Sequence, residues 1–356
     1  MTGPVIAVTG MNAHDNPGPG VAVIRGIRQR YGQDCRIIGL AYDALEPGVF
    51  LGDLVDEAFL IPYPSEGETA FWTRMMQIHE TCDLDVLLPT LDAELPIILG
   101  LEQKLHEQGI KTFLPSRASL EQISKSRFHK LRKDYGINVP ESDVATDTSR
   151  LDALCRKFGF PVMIKGQYYE AYIAHNTQEA ILYFSKIRDR WGLPIIVQQY
   201  ILGEEYDVVA LGDGNGDTVG LVPMRKMYLT DKGKAWAGIT VTDPKLLDLA
   251  YQVISKLEWQ GPMELEIMRR RADGELFLLE VNPRFPAWVY LAVGSGVNLP
   301  AATVALALGE EISPMPDFEV GKIFVRTSMD MITDLEKFES ITTLGHLSHT
   351  PKENTK

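Results

Sequence analysis

Two apolar runs, separated by a short turn, carry acids and an amide at alternating positions. The first run contains Glu264 and Glu266, and the second contains Glu280 and Asn282. Side chains two positions apart on a strand share a face, so the pattern predicts that these groups converge on one region. Carboxylate and amide oxygens suit Mg²⁺, which keeps several waters and shares its remaining positions with phosphates. Arg284 follows closely and can meet a phosphate with a planar fork of donors.

The elements that would position these groups form a hairpin. We predict strands over 263–269 and 275–281, joined by a turn at 272–274. The run Phe277-Leu278-Leu279 and Val281 favours a buried strand over an exposed one. A buried strand face seldom carries this many acids without a cation. The alternative is an exposed hairpin whose acids are solvated.

The series Glu266 … Glu280-Val-Asn282-Pro-Arg284 resembles the metal-binding signature of the ATP-grasp superfamily. It is similar to the branch that contains the carbamoyl-phosphate synthetase large chain and biotin carboxylase. The resemblance covers about residues 4 to 310 and names a superfamily, not a substrate. It implies that Glu266, Glu280 and Asn282 bind Mg²⁺, as two ions that Mn²⁺ could replace, and that the chain binds ATP.

Two lysines match the family's phosphate-binding pair. Lys125 lies in a polar, helical stretch, and Lys165 closes the apolar strand that begins at Phe160. An ammonium group at the end of an apolar strand needs an anionic partner. The alternative for Lys165 is an ordinary strand-end lysine whose charged head reaches solvent.

The segment from Gln198 through Gln199 and Tyr200 to Ile201 resembles the family's hinge strand. The resemblance implies that backbone groups around Gln199 and Ile201 bind the adenine edge. Gln198 replaces an acid that is frequent there, and its amide oxygen can accept from the adenine amino group. Glu205 matches the ribose-binding acid, although an isolated acid of this kind is more often plain surface.

The loop after Lys165 departs from the family's pattern. The family usually has a glycine-rich loop here, whereas residues 166–174 contain one glycine and three tyrosines. Bulky side chains keep a loop from covering phosphates with bare backbone. Tyr168 or Tyr169 would instead bond a phosphate or pack on the acceptor.

The segment between the hinge and the hairpin borders the acid-binding pocket in this branch. The resemblance makes Arg225 a carboxylate-binding residue and Arg284 a stabiliser of acyl-phosphate oxygens. Trp236 and Trp288 either line an apolar pocket or pack in the core. We place Lys232 and Lys234 in a mobile loop. The His14–Gly20 segment follows the first strand, and it either touches the acceptor or forms only a tight turn.

The order of elements predicts a mixed α/β and α+β protein with the ATP-grasp fold. Residues 1–116 alternate strands and helices, which is typical of a Rossmann-like parallel sheet. We expect strands at 5–9, 35–40, 57–62, 85–89 and 111–115. Residues 117–200 would form the central, linker-helix and lid subdomain. Residues 201–356 would form an antiparallel catalytic lobe, with a frayed tail from Pro351.

Composition excludes several other classes of protein. The formal net charge is −13, which argues against nucleic acid or an anionic membrane as a main partner. The three cysteines, Cys35, Cys82 and Cys155, are scattered and read as reduced thiols. The N-terminus shows no signal-type segment, and no apolar run is long enough for a membrane span. We therefore expect a cytoplasmic protein.

The favoured function is an ATP-dependent carboxylate–amine ligase that forms an amide bond through an acyl phosphate and releases ADP and phosphate. Its partners would be a small carboxylic acid and an amine or short peptide. Dimers are frequent in the family that the chain resembles, so the resemblance implies a homodimer. One alternative is carbamoyl-phosphate-synthetase-like chemistry, in which carboxyphosphate is formed or carbamate is phosphorylated. A second is a Rossmann-type dehydrogenase, although Gly10, Gly18 and Gly20 miss the GxGxxG spacing. A third is a relic that binds ATP without turnover.

Overall fold

A computed structural model of the chain describes residues 3–13, 17–125, 127–166, 170–230, 233–315 and 317–349. The chain divides into two compact units, which interleave along the sequence. The first unit comprises Met1–Arg117, Asp207–Glu264 and Asn282–Lys356. The second comprises Ala118–Tyr206 and Leu265–Val281. The division into three domains at residues 116 and 200 stays a prediction.

Strands and helices are numbered in chain order. The strands are β1 Val5–Val8, β2 Arg36–Ala41, β3 Glu57–Leu60, β4 Val86–Leu88, β5 Ser142–Ala145, β6 Val162–Lys165, β7 Ala171–Ala174, β8 Ile195–Gln199, β9 Gly203–Asp213, β10 Thr218–Leu229, β11 Ala235–Thr240, β12 Gln260–Arg270, β13 Leu276–Asn282, β14 Ile323–Val325 and β15 His346–Ser348. The helices are α1 Pro19–Tyr31, α2 Glu68–Cys82, α3 Leu95–Glu107, α4 Arg117–Ile123, α5 Leu131–Tyr135, α6 Thr148–Phe158, α7 Thr177–Trp191, α8 Pro244–Leu257, α9 Tyr290–Gly294, α10 Leu299–Ala307 and α11 Leu335–Leu344. None of the helices in the described part of the chain is long and apolar enough to cross a membrane.

The first unit contains a five-stranded sheet in the order β15-β3-β2-β1-β4. The strands β1 to β4 are parallel, and β15 joins the edge antiparallel to β3. Strands β1, β2 and β4 are almost wholly apolar and buried, as expected for a parallel sheet covered on both faces. The predicted Rossmann-like arrangement of this part of the chain is therefore confirmed.

The fifth predicted strand, 111–115, does not form. Lys111 makes a single bridge to Val86, with its N–H donating to the Asp85 carbonyl over 2.8 Å. The next N–H, that of Thr112, donates to the ring of His106 at 3.2 Å, and its hydroxyl donates to Glu102. Side chains of α3 thus form hydrogen bonds with Thr112, at a position where a continuing strand would have paired with its neighbour. The remaining strand of the sheet is β15, which comes from the far end of the chain.

A buried glutamate ties the carboxyl ends of this sheet together. Glu94 is fully buried, and its carboxylate accepts from the hydroxyls of Thr9 and Tyr42 and from the N–H groups of Thr90 and Leu91. Burial raises the pKa of Glu94, an effect that these donors oppose. The contacts join the ends of β1, β2 and β4 at one point.

The long antiparallel sheet has the order β13-β12-β9-β10-β11-β14. The predicted hairpin is confirmed as β12 and β13. The next two strands of the sheet after this hairpin, β9 and β10, are long, with 11 and 12 residues. Strands β11 and β14 were not predicted. The sequences of these two strands show little strand pattern, and antiparallel pairing stabilises them instead. Strand β11 pairs with β10 on one side and with β14 on the other.

The second unit contains a four-stranded antiparallel sheet in the order β5-β8-β6-β7. The helices α6 and α7 pack on it, and each begins at a side chain that caps its first turn, Asp147 and Asn176. Their apolar faces join the inner side chains of the sheet in one core. This core holds the strand end at Lys165. The parallel sheet together with the antiparallel sheets confirms the predicted α/β and α+β class.

Candidate functional site

The second unit brings two lysines and two carboxylates close together. Lys165 is the last residue of β6, and Lys125 follows α4. The Lys125 ammonium lies 3.9 Å from the Glu280 carboxylate on β13. Burial lowers the pKa of Lys165; the Glu280 carboxylate opposes this shift, the neighbouring Lys125 charge adds to it, and Glu266 opposes it more weakly. A desolvated lysine that lies near charges of both signs is a suitable binding group for an anionic ligand.

A small cavity of about 50 Å³ opens beside these groups. Its polar lining includes Lys125, Lys165, Gln198 and Glu280, and Phe128 contributes to its apolar wall. Gln198 is buried on β8, in register with Met163 of β6. The structure therefore places these four sequence-predicted residues around one space. Their predicted roles in nucleotide binding stay predictions.

The backbone around the end of β8 is partly committed to the sheet. The Gln199 N–H donates to the Glu141 carbonyl over 2.8 Å, so it is engaged in β5–β8 pairing. An adenine edge bound here would use other backbone groups, such as those of Ile201. Ile201 is buried and Tyr200 is half-buried. This hydrogen bond removes the Gln199 N–H from the backbone groups that were predicted to contact adenine.

Glu205 lies near the start of β9, and alternation along that strand separates it from Glu204. Glu204 is exposed and accepts from the Tyr206 hydroxyl at 3.0 Å. Glu205 is half-buried on the other face. The choice of Glu205 over Glu204 for a ribose stays a prediction.

In the first unit, Glu264 binds Asn282 at the end of β13 and two residues that follow the hairpin. One carboxylate oxygen accepts from the Asn282 amide over 3.1 Å and from the Arg284 guanidinium over 2.9 Å. The other accepts from the Trp288 indole N–H over 2.7 Å. Arg284 also donates to Asp92 at 3.1 Å. Burial lowers the pKa of Arg284, but the Asp92 and Glu264 carboxylates outweigh it, so the pKa is raised and the charge is secured.

Sequence reasoning noted Glu264 but assigned it no role. Its side chain is only 8% exposed, so its charge needs partners. The signal was present, because Glu264 stands between Met263 and Leu265, both fully buried. The partners were not visible, since Asp92 precedes Arg284 by 192 positions.

The donor chemistry of Glu266, Glu280 and Asn282 fits Mg²⁺. Among the described residues, no group of three His, Cys, Asp or Glu side chains is placed to hold a metal alone. The amide N–H of Asn282 donates to Glu264. The amide oxygen is the other polar atom of this side chain, and it is the atom with which an amide binds a cation.

Arg225 and its neighbour face different environments. Arg225 is exposed on β10, in register with Ile239 of β11. Lys226 is buried on the opposite face and pairs with the buried Asp207 at 3.2 Å. The sequence predicts Arg225 as a carboxylate-binding residue and gives no indication of the Lys226–Asp207 ion pair. A role for Arg225 in binding carboxylate stays a prediction.

Several sequence-based expectations fall on residues outside the described ranges. They concern the side chains of Tyr168, Tyr169, Lys232, His14 and Asp15. The tail from Pro351 also lies outside.

The glycines after β1 are explained by packing. The Gly20 N–H donates to the Gly10 carbonyl over 3.1 Å, and a Cβ on Gly20 would lie 2.0 Å from the Thr9 carbonyl oxygen. The backbone of this turn therefore packs closely against itself. This packing explains the glycines without dinucleotide binding.

Comparison with known proteins gives a match in the second half of the chain and longer matches to two kinds of enzyme. The family described as "ATP-grasp in the biosynthetic pathway with Ter operon" matches residues 193–327. A phosphoribosylamine–glycine ligase of Synechocystis sp. is 26% identical over 237 residues, covering 60% of this chain and 56% of the relative. A carbamoyl phosphate synthase large chain of Thermoanaerobacter sp. is 23% identical over 318 residues, covering 77% of this chain and 28% of the relative. The chain thus spans about half and about a quarter of these relatives.

Solved structures share the fold at lower identity. The biotin carboxylase domain of Hydrogenobacter thermophilus 2-oxoglutarate carboxylase, a dimer in complex with MgADP, ADP and bicarbonate, superposes with a TM-score of 0.69 at 14% identity, covering 90% of this chain and 73% of that one. An L-amino acid ligase from Bacillus licheniformis superposes with a TM-score of 0.65 at 17% identity, covering 86% and 75%.

Proposed function

We propose that this chain, an ATP-grasp protein by its family match and its fold, is an ATP-dependent carboxylate–amine ligase. It would couple ATP cleavage to an amide bond between a small carboxylic acid and an amine or short peptide. The relatives named above include a ligase of this kind, phosphoribosylamine–glycine ligase, and the fold neighbours include an L-amino acid ligase.

The observation that carries the proposal is the half-buried Lys165 beside Lys125 and Glu280. A lysine whose charge is desolvated at a strand end is costly unless it binds an anion. Lys125 provides a second cation within reach of the same space. Both lysines would bind the phosphates of ATP, and Gln198 would accept from the adenine amino group. Glu205 would bond the ribose.

Glu266, Glu280 and Asn282 would hold Mg²⁺. Bound there, Mg²⁺ would offset charge on the phosphates during transfer. Glu264 would keep Asn282 oriented through its amide N–H. Glu264 would also hold the Arg284 guanidinium in place. Other N–H groups of Arg284 would stabilise the negative oxygens of the acyl phosphate.

The reaction would proceed in two steps. A carboxylate oxygen of the acid attacks the γ-phosphorus of ATP, the bond to the β-phosphate oxygen breaks, and ADP leaves. The amine then attacks the carbonyl carbon of the acyl phosphate, phosphate leaves, and the amine loses a proton. No protein nucleophile is required, and Arg225 would help to hold the acid.

We place the enzyme in the cytoplasm, in keeping with three cysteines that are buried and unpaired in disulfides. A homodimer is part of the same proposal. Its support is the fold neighbour described as a dimer.

The test is ADP release from MgATP with pools of carboxylic acids, alone and with amines. ADP formed only when an acid and an amine are both present would establish the ligase. Release of AMP and pyrophosphate, or no turnover with any pool while MgATP binds, would overturn it.

A matched pair of variants ties the assay to the site. Lys165→Met should lower acid-dependent ADP release by at least about a hundredfold, since a charge contact to the transferred phosphate is lost. Lys157→Met removes an exposed lysine of α6 that pairs with exposed Glu141, and should leave the rate unchanged.

A further inference from the structure

One stretch of the first unit exposes a series of large apolar side chains. It comprises residues 322–334, which we call the β14 segment, because it begins with β14 and ends where α11 starts. Ile323, Val325, Met329 and Ile332 are each more than half exposed, with values from 54% to 88%. Exposed apolar side chains that lie close together along a chain are typical of a surface that binds another protein.

One edge of β14 is open in the described part of the chain. Strand β14 lies at the end of the six-stranded sheet and pairs there with β11. The Lys322 carbonyl accepts from the Thr240 N–H over 2.8 Å, so the backbone of Lys322 faces β11. Backbone groups of alternate residues point to opposite sides of a strand, and those of Ile323 and Val325 therefore face the open edge. An edge of this kind can take an added strand from another chain.

The charges of the β14 segment have opposite sign on the two sides of Ser328. Cations lie at Lys322 and Arg326, and acids lie at Asp330 and Asp334, so successive charges are four positions apart. When the segment lies antiparallel to a copy of itself with Ser328 at the centre, each cation position faces an acid position. A parallel arrangement in register would instead place like charges opposite each other, which is unfavourable. The charge pattern therefore favours a second copy of this chain as the partner.

Apolar positions match in the same antiparallel register. Val325 faces Met331 of the partner subunit, and these are large apolar side chains in both copies. Facing pairs of this kind stabilise neighbouring strands. Residues 331–333 of each copy would then lie along the open edge of β14 in the other copy. The two copies contribute the same surface, as in most symmetric dimers.

We propose that the β14 segment is the interface of a symmetric homodimer, in which residues 331–333 of each copy pair with β14 of the other. The segment is shorter than the roughly 20 to 30 residues that each partner contributes to a standard interface, so we expect a reversible dimer of micromolar affinity. The inference rests on the homodimer of the proposed function and names its surface. It does not depend on the ligase reaction.

Charge-reversed variants test the partner and the register. Lys322→Glu and Asp334→Lys each place like charges opposite each other at both ends of the dimer. Either variant alone should raise the dimer Kd by at least about tenfold, as measured by analytical ultracentrifugation. An equimolar mixture of the two should regain the wild-type Kd, because the mixed dimer has opposite charges at both ends. Unchanged Kd values in the separate variants, or no recovery in the mixture, would overturn the inference.

The two charge-reversed variants should remain folded. The Lys322 side chain is 44% exposed and Asp334 is exposed, and an exposed ion pair such as that of Lys322 with Glu319 contributes little to stability. Their urea midpoints should therefore match that of the wild type. Asp248→Lys is the control, since it makes the same charge change at an exposed position of α8 and should leave the dimer Kd unchanged.

Cysteine variants test the position of the symmetry axis. The Cα atoms of facing residues in an antiparallel pair lie about 4.5 to 5.5 Å apart, which a disulfide can span. Ser328→Cys should therefore give a disulfide-linked dimer under mild oxidation, while the native cysteines are buried. Thr333→Cys is the control, because its two copies would lie ten positions apart, roughly 34 Å. Equal cross-linking of the two variants, or none in Ser328→Cys, would refute the register.

The oligomeric state separates this inference from the proposed function. If the wild type is a dimer and the charge-reversed variants dimerise equally well, the β14 segment is not the interface and the homodimer stands. If the wild type is a monomer at micromolar concentration, the homodimer fails and the interface fails with it. The ligase reaction is tested separately, by acid-dependent ADP release.

Discussion

Glu264 and Glu266 lie two residues apart on β12 and have different surroundings. Glu264 is buried among hydrogen-bond donors from Asn282, Arg284 and Trp288. Glu266 is half-buried and acts on Lys165 through charge. Glu264 thus stabilises the structure around the site, whereas Glu266 is the carboxylate that we propose to bind Mg²⁺.

Glu264→Gln should lower the free energy of unfolding by about 2 kcal/mol, because a buried, charged acceptor of Arg284 is lost. Urea unfolding followed by circular dichroism would measure this. Glu266→Gln is the matched control. It should change stability by less than about 1 kcal/mol, since the residue is half-buried, and it should abolish acid-dependent ADP release.

Equal stability losses in the two variants would contradict the division of roles. So would full turnover in Glu266→Gln. Either result would move the structural role, or the metal-binding role, away from the residue to which it is assigned.

At the scale of elements, β15 closes the exposed edge of the parallel sheet. His346 donates to Glu57 over 2.8 Å and stacks on Phe59 with ring centroids 4.2 Å apart. Leu347 is buried, with 4% exposure. His349 then donates to the Val49 carbonyl at 2.8 Å. This edge strand covers backbone groups of β3 that would otherwise be open to other chains.

Leu347→Ala should therefore destabilise the protein by about 2 to 3 kcal/mol, as for other large-to-small changes in a core. Chemical unfolding would measure the change. Leu344→Ala, a few residues earlier, removes a side chain that is 69% exposed and should have an effect within about 0.5 kcal/mol. A negligible effect of Leu347→Ala would show that β15 adds little to the sheet.

At the scale of the whole molecule, a bound nucleotide should shift the unfolding equilibrium. MgATP that binds only the folded chain adds about 2.7 kcal/mol at a concentration of 100 times its Kd. The proposed phosphate contact through Lys165 makes this gain dependent on that residue.

Thermal unfolding with and without MgATP would test this dependence. The wild-type midpoint should rise, and the rise should be lost in Lys165→Met. Without nucleotide, the variant should unfold at the same or a slightly higher temperature, because burial disfavours the Lys165 charge. An equal MgATP-induced rise in both proteins would exclude Lys165 from the nucleotide site.

The hairpin, the class of fold and the residue types suited to phosphate and Mg²⁺ follow from the order of residues alone. These features depend on local spacing, such as the alternation of Glu280 and Asn282 along one strand and the strand end at Lys165. Alternation and strand length are properties of neighbouring residues, so they can be read without knowing the rest of the fold.

The hydrogen-bond partners of these groups, by contrast, follow from the three-dimensional fold. Glu264 binds Arg284 across 20 positions, Arg284 binds Asp92 across 192, and His346 binds Glu57 across 289. Hydrogen bonds and burial depend on distance in space, which the order of residues along the chain does not specify.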